Sequence, residues 1–153
     1  MINSARACSV TGHRVMEKDI EKAPLKEIFI KLIKDGGYDT FLIGMALGFD
    51  TLCFQVLEKI REEENIKIIA CVPCRSQADK FSVVQKKEYD RMILSADEVV
   101  LISEKYTKEC MRKRNEFLVD NSSVIVSYLR RDFGGTKQTV NYARKKGIKI
   151  ISL

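Results

Sequence analysis

The residues best suited to chemistry in this sequence gather in a few short turns. Thr40-Phe41-Leu42-Ile43-Gly44-Met45-Ala46-Leu47-Gly48-Phe49-Asp50 passes from an apolar run into a turn with two glycines four apart, and the periodic segment Thr51 to Arg61 follows. Phe133-Gly134-Gly135-Thr136 precedes a second periodic segment, Lys137 to Lys146. Glycine lets a ligand reach backbone N–H groups without meeting a β-carbon, and a helix start adds partial positive charge, so both turns suit a phosphate or another polar anion.

The candidate residues differ in what each offers. Asp50 reads as a helix N-cap ahead of a ribose ligand, because a carboxylate there competes with phosphate for the same N–H groups. Gly134, Gly135 and Thr136 are therefore the better phosphate candidates, while Gly44, Met45, Ala46 and Gly48 admit ribose or phosphate to the backbone. In Thr11-Gly12-His13-Arg14, the guanidinium of Arg14 can pair with phosphate bidentately, and His13 reads equally as a ligand contact or a backbone partner. Pro73, Gln77 and Phe81 follow a third apolar run. Gln77, Phe81 and Tyr89 could wall a base, although Tyr89 stands at helical spacing from Met92 and Ile93 and reads also as core.

Several chemistries are excluded or disfavoured by what is missing. Gly44-x-x-x-Gly48 lacks the following Lys and Ser/Thr of a phosphate-loop ATPase, and no G-x-G-x-x-G dinucleotide fingerprint occurs. One histidine leaves little room for a Ser-His-Asp hydrolase or a His-rich metal centre. Cys71-Val-Pro-Cys74 has redox-motif spacing but ends a strand instead of opening a helix, and no second pair completes a metal site. We expect no required cofactor.

The elements that must position these turns alternate. Strands are expected at Ala7 to Val10, Thr40 to Ile43, Lys67 to Val72, Glu98 to Ile102, Val124 to Leu129 and Ile148 to Ser152. Helices are expected from about Asp19 to Asp35 (with Ile20 on its apolar stripe), Thr51 to Arg61, Val83 to Ser95, Lys108 to Asp120 and Lys137 to Lys146. Runs apolar on both faces, joined by helices, predict an α/β, Rossmann-like, doubly wound fold: a mostly parallel sheet of about six strands with helices on both faces. Ligands of such sheets bind beyond the carboxyl ends of the strands, and the unusual residues collect at those ends.

With 153 residues, 45% of them hydrophobic, the chain supports one core, so a single domain spanning 1–153 is expected. A net charge of +6 favours anionic partners, although Lys and Arg are interspersed with Asp and Glu on helix faces. No apolar run reaches membrane-spanning length and no signal-peptide core is present, so a cytoplasmic protein without membrane contact is expected. Five cysteines, mostly in strand-like or apolar contexts, suit reduced buried thiols.

Taken together, Val10 to Arg14, Gly44 to Asp50, Val72-Pro73-Cys74 with Gln77, Gln85 to Tyr89, Ala96-Asp97, Tyr106, Met111 to Asn115 through Val119-Asp120, and Gly134-Gly135-Thr136 to Tyr142-Ala143 resemble the YspA/YpsA-like branch of the SLOG superfamily. That superfamily also includes the Smf/DprA proteins and the LOG phosphoribohydrolases. The resemblance spans nearly the whole chain. It implies a site for a nucleotide-derived ligand, such as an ADP-ribose-like or cyclic nucleotide signal, that is sensed or sequestered, and it implies a homo-oligomer, dimer or higher. It also brings Arg114 and Asn115 into the site, as counterparts of an Arg-Lys pair of the LOG enzymes. Two positions depart from the relatives: Thr139 stands where LOG enzymes place a glutamate, and Phe81 where relatives commonly show tryptophan. A threonine supplies no carboxylate for an oxocarbenium-like centre. Hydrolysis of a nucleoside-monophosphate N-glycoside, with Arg114 as its catalytic residue and Asp50 or Glu116 as its carboxylate, is the alternative reading. A DNA-associated role by analogy with Smf/DprA is the third; nucleic acid is the less favoured partner.

Overall fold

The computed structural model of the chain describes residues 2–16 and 21–153. After a short 3-10 turn, Ser4–Arg6, six strands and five helices alternate: β1 Ala7–Gly12, α1 Lys22–Lys34, β2 Thr40–Ile43, α2 Phe49–Arg61, β3 Lys67–Cys74, α3 Val83–Ser95, β4 Glu98–Ser103, α4 Cys110–Asp120, β5 Val124–Tyr128, α5 Gly135–Lys146 and β6 Lys149–Ser152. All strand pairs are parallel, in the order β4-β3-β2-β1-β5-β6. The expected doubly wound sheet is therefore the fold.

The differences from expectation lie at element ends. The apolar pattern of α1 predicts a start near Asp19, but Asp19 and Ile20 lie outside the described residues; the observed helix begins at Lys22, and Pro24 sits in its first turn, where its missing N–H costs nothing. β1 runs two residues past Val10, because Thr11 and Gly12 pair with Ser127 and Tyr128. β3 continues through Pro73 to Cys74. Its ladder with β4 pairs Val72 with Leu101 and Cys74 with Ser103, stepping over the proline that has no N–H to give.

Burial sorts the helices onto the two faces. α1, α2 and α3 cover one face, where Phe29 meets Phe41 edge-on at 5.5 Å and Phe54, Leu57, Tyr89 and Met92 join the main core. α4 and α5 cover the other, through Leu118 against Leu42, Ile69 and Cys71, and through Val119, Ile125 and Ala143. The chain lays β1 to β4 outward in one direction, then returns past β1 to place β5 and β6 on its far side. The carboxyl ends of β1 and β5 are thus neighbours whose helices depart to opposite faces, which opens a crevice between them.

Local signals fix the helix ends. Ser82 Oγ accepts from Gln85 N–H at 3.2 Å while Gln85 Oε1 accepts from Ser82 N–H at 3.0 Å, a reciprocal cap for α3. Gly147, at φ 74°, closes α5 in the left-handed conformation.

Candidate functional site

A cavity of about 470 Å³ occupies the crevice at the carboxyl ends of the strands. Of the residues singled out by sequence, Thr11, Gly12, His13, Arg14, Ala46, Asp50, Gln77, Phe81, Arg114, Asn115, Gly134, Gly135 and Thr136 line it. The turns that follow β1, β2, β3 and β5 contribute, with residues of α2, α4 and α5, so the turns read separately along the chain converge at one place. Gly44, Met45, Gly48 and Pro73 do not line it.

These four stand behind the wall. Pro73 is buried within β3. A Cβ on Gly48 would lie 2.1 Å from the carbonyl oxygen of Arg14, and the residue holds φ 77°, so its glycine serves contact between two loops. Met45 is buried at φ 65°, an uncommon conformation for a side chain of this size. Gly44 leaves room for the guanidinium of Arg114, whose Cζ would be 2.9 Å from an added Cβ. Gly12 lines the cavity and is also a packing position, since a Cβ there would meet the Phe49 ring at 2.4 Å.

Asp50 is not the N-cap that its position implies. The N-cap of α2 is Gly48, and Asp50 falls in the first turn, from which Oδ2 accepts the Ala46 N–H at 3.1 Å. Thr51 Oγ1 donates back to Ala46 O at 3.1 Å, and Phe49 N–H donates to His13 O at 3.1 Å. The β2–α2 turn is thereby closed on itself and on the β1 loop. Asp50 is only 6% exposed, and burial pushes its carboxyl up to about 6 despite the opposing effects of Arg114 and the Ala46 bond.

Arg114 reaches the same floor from α4, on the opposite face of the sheet. It is also 6% exposed. Its Nη1 donates to Gly44 O and, at 3.5 Å, to Cys71 O; its Nε donates to Asn115 Oδ1 at 2.8 Å, and Nη2 stands 3.9 Å from Met111 Sδ. Burial lowers the affinity of this guanidinium for its proton, and Asp50 raises it again. A guanidinium keeps its charge in proteins, so the floor of the cavity holds a buried cation and a buried anion.

Other predicted contacts have structural partners. His13 Nε2 accepts from Arg130 N–H at 2.8 Å, which ties the β1 and β5 loops together at the switch in strand order and places the ring proton on Nδ1. Gln77 donates from Nε2 to Gly44 O at 3.0 Å and accepts from Tyr89 Oη at 2.9 Å. Tyr89 is buried core, and Phe81 packs against it edge-on at 5.7 Å; of these two aromatics Phe81 lines the cavity.

The start of α5 is built differently from that of α2. Gly134 is its N-cap at φ 95°, no side chain caps it, and its first turn carries no acid. Gln138 N–H makes the first intrahelical bond, to Gly134 O at 3.0 Å, so the amides of Gly135, Thr136 and Lys137 precede the helical ladder. Asn115 Nδ2 lies 3.8 Å from where a Cβ of Gly135 would stand.

Sequence reasoning missed Val10, Val15, Leu47, Met111, Leu118, Arg131 and Phe133, which also line the cavity. Phe133 carried a usable signal. It is an aromatic at the carboxyl end of a strand with no helix or strand of its own to bury it, and it is 68% exposed, with Arg131 5.9 Å above its ring.

Thr139 turns its hydroxyl into its own helix, donating to Gly135 O at 2.8 Å. Glu116 pairs with Arg112 at 3.0 Å and lines a separate, smaller pocket of about 230 Å³ with Thr139, so of the two carboxylates weighed for hydrolysis only Asp50 reaches the cleft. Cys71 and Cys74 are buried in β3, and burial pushes the Cys71 thiol up to about 12. Among the described residues no cluster of His, Cys, Asp and Glu could hold a metal ion, and no helix is long and apolar enough to cross a membrane.

With this geometry in place, comparison with known proteins is decisive for the family. The model of the YspA SLOG family matches residues 9–150. The chain belongs to that family. It is 31% identical over 139 residues, 81% of this chain and 80% of the relative, to the uncharacterized SPbeta prophage-derived protein YoqJ of Bacillus subtilis (strain 168). Among solved structures the SLOG chain is similar to DNA processing protein A from Helicobacter pylori, whose single-stranded DNA binding mode has been described. There the TM-score is 0.70 at 16% identity, covering 97% of this chain and 65% of the other. It is also similar to DNA processing protein A from Streptococcus pneumoniae, with a TM-score of 0.55 at 15% identity, covering 94% of this chain and 57% of that one. The structural-genomics target TM1055 matches with a TM-score of 0.56 at 17% identity, covering 95% and 72%. The chain therefore spans less than two thirds of either DNA processing protein, and these likenesses bear on fold.

Proposed function

We propose that this SLOG protein binds a nucleotide-derived small molecule, such as an ADP-ribose-like or cyclic nucleotide signal, and senses or sequesters it. The observation that carries the reading is the open start of α5, with Gly134, Gly135 and Thr136 facing the same cavity as Arg14, Arg131 and Arg114. Unladdered amides, a helix dipole and guanidinium groups form a phosphate site, while Phe81 and Phe133 offer faces to a base. Asp50 is the sole carboxylate among the described residues that line the cavity. No cofactor is required by this reading. It fits a cytoplasmic protein, and the exposed Val83, Val84 and Leu94 of α3 support self-association as a homo-oligomer.

Mass spectrometry of small molecules released on denaturing the purified protein tests this directly. A nucleotide recovered intact, whose rebinding is lost in Arg14→Ala or Arg131→Ala, supports it. Accumulation of free base from a nucleoside monophosphate, abolished by Arg114→Ala, would move the reading to N-glycoside hydrolysis with Asp50 as the carboxylate.

A second reading, association with single-stranded DNA, draws on the net charge of +6 and on the likeness to the Helicobacter pylori protein. It requires affinity for an oligonucleotide that falls steeply as salt is raised. Failure to bind an oligonucleotide even at low salt removes it.

A further inference from the structure

We propose that Asp50 recognises a sugar hydroxyl: its Oδ1 accepts from a free ribose hydroxyl, so the ligand is a ribonucleotide with its sugar at the α2 turn and its phosphate at the start of α5. This rests on the nucleotide reading above and adds the sugar chemistry and the direction in which the ligand lies.

The primary observation is an orphaned acceptor. Asp50 lines the cleft and is almost wholly buried; Oδ2 is held by the Ala46 N–H, and Oδ1 is cut off from solvent with no hydrogen-bond partner among the described residues. Buried polar atoms are nearly always paired, and leaving one unmade costs stability, so a donor from outside the chain is the natural complement. An ionised carboxylate only accepts, and it repels phosphate. The partner is thus a hydroxyl or an amino group.

Position along the sheet chooses between them. In the order of the strands, β3 leads to Phe81, β2 to Asp50, β1 to Arg14, and β5 to Gly134 and Arg131. Neighbouring strands are about 4.8 Å apart. Asp50 therefore stands between Phe81 and the phosphate-binding turn, which is where the sugar lies in a base–sugar–phosphate molecule whose base rests on Phe81. Arg114, fixed on Gly44 O in the same floor, offsets the carboxylate charge and keeps Asp50 an acceptor.

Titration calorimetry with AMP, 2′-deoxy-AMP, 3′-deoxy-AMP and IMP, on the wild type and on Asp50→Asn, tests the assignment. The wild type is expected to bind AMP at least tenfold more tightly than one of the two deoxy analogues. Asp50→Asn, near-isosteric, is expected to lose that preference while binding the analogue as the wild type does, with circular dichroism showing that it is folded. Equal affinity of the wild type for AMP and both deoxy analogues overturns the sugar assignment and leaves the nucleotide reading standing; this arm needs no variant. Discrimination between AMP and IMP that vanishes in Asp50→Asn assigns Oδ1 to the base amino group and also overturns it. Binding of none of the four overturns the sugar assignment, and the nucleotide reading is then decided by the mass spectrometry described above.

Discussion

The turns that start α2 and α5 share a glycine N-cap with positive φ, 77° at Gly48 and 95° at Gly134, and a place at the same cleft. Around Gly48 the space is full: an added Cβ would meet the Arg14 carbonyl at 2.1 Å, and Asp50 in the first turn takes up the Ala46 amide. Around Gly134 no atom of the described residues lies within 4 Å of such a Cβ, and no acid enters the first turn. Two turns that share a glycine cap therefore differ in what they present. One is a packed joint that presents a carboxylate, and the other is an open cradle that presents amides. On the proposed reading an anion goes to the second, because the first already contains a carboxylate.

This contrast can be broken at several points, taken here from the largest expected effect downward. Gly48→Ala combines left-handed strain with a backbone collision and is expected to lower unfolding stability by about 3–5 kcal/mol in urea titration. A loss below about 1 kcal/mol would mean that the α2 turn is as roomy as that of α5. Arg114→Met removes the cation facing a buried carboxylate and is expected to cost about 3 kcal/mol, with part of it recovered in the Arg114→Met/Asp50→Asn double variant. Purely additive losses would separate Asp50 from Arg114 electrostatically.

The pH dependence of stability sharpens the same point. Asp50 is raised from 3.8 to about 6 in the folded protein, so the folded state binds its proton more tightly than the unfolded chain does. Its contribution is then favourable when protonated. Stability relative to Asp50→Asn is expected to fall by about 2–3 kcal/mol as pH rises from 4 to 6 and to level off above that. A difference between the two proteins that does not change over this window would place the carboxylate in water. The smallest effect is expected at the open turn: Gly134→Ala pays only conformational strain, about 1–2 kcal/mol, yet it should weaken nucleotide binding by more than tenfold, measured by calorimetry. A variant that binds normally would move the phosphate away from α5.

Much of this was legible in the residues. The alternation of apolar runs with helical periodicity gave the parallel sheet, and α3 begins at Val83 and ends at Ser95 as its pattern and Ser82–Gln85 cap require. The convergence of the β1, β2, β3 and β5 turns followed from the rule that parallel strands present their carboxyl ends at one pole. Residues from Thr11 to Thr136 meet there. Less legible were the individual roles. Asp50 in a first turn and Gly48 as the cap differ from the expected arrangement by two residues, a shift set by the Phe49 amide bonding to His13 O in a different loop. Gln77 reads as a base contact, and only the fold shows that one N–H and one acceptor site of its amide also hold Gly44 and Tyr89.

By itself the sequence determined which segments are strands, where helices stop, that the cleft would be glycine-lined, and the family likeness, because those properties depend on local periodicity and short motifs. Only the tertiary structure decided which glycines face the cleft and which face other backbone. It also decided that Arg114 would be driven across 70 positions of chain onto Gly44 O, beside a carboxylate left with one oxygen unmatched. Those outcomes depend on strand order and on which helix covers which face, and burial of a charge is a property of the assembled layers that no local pattern carries.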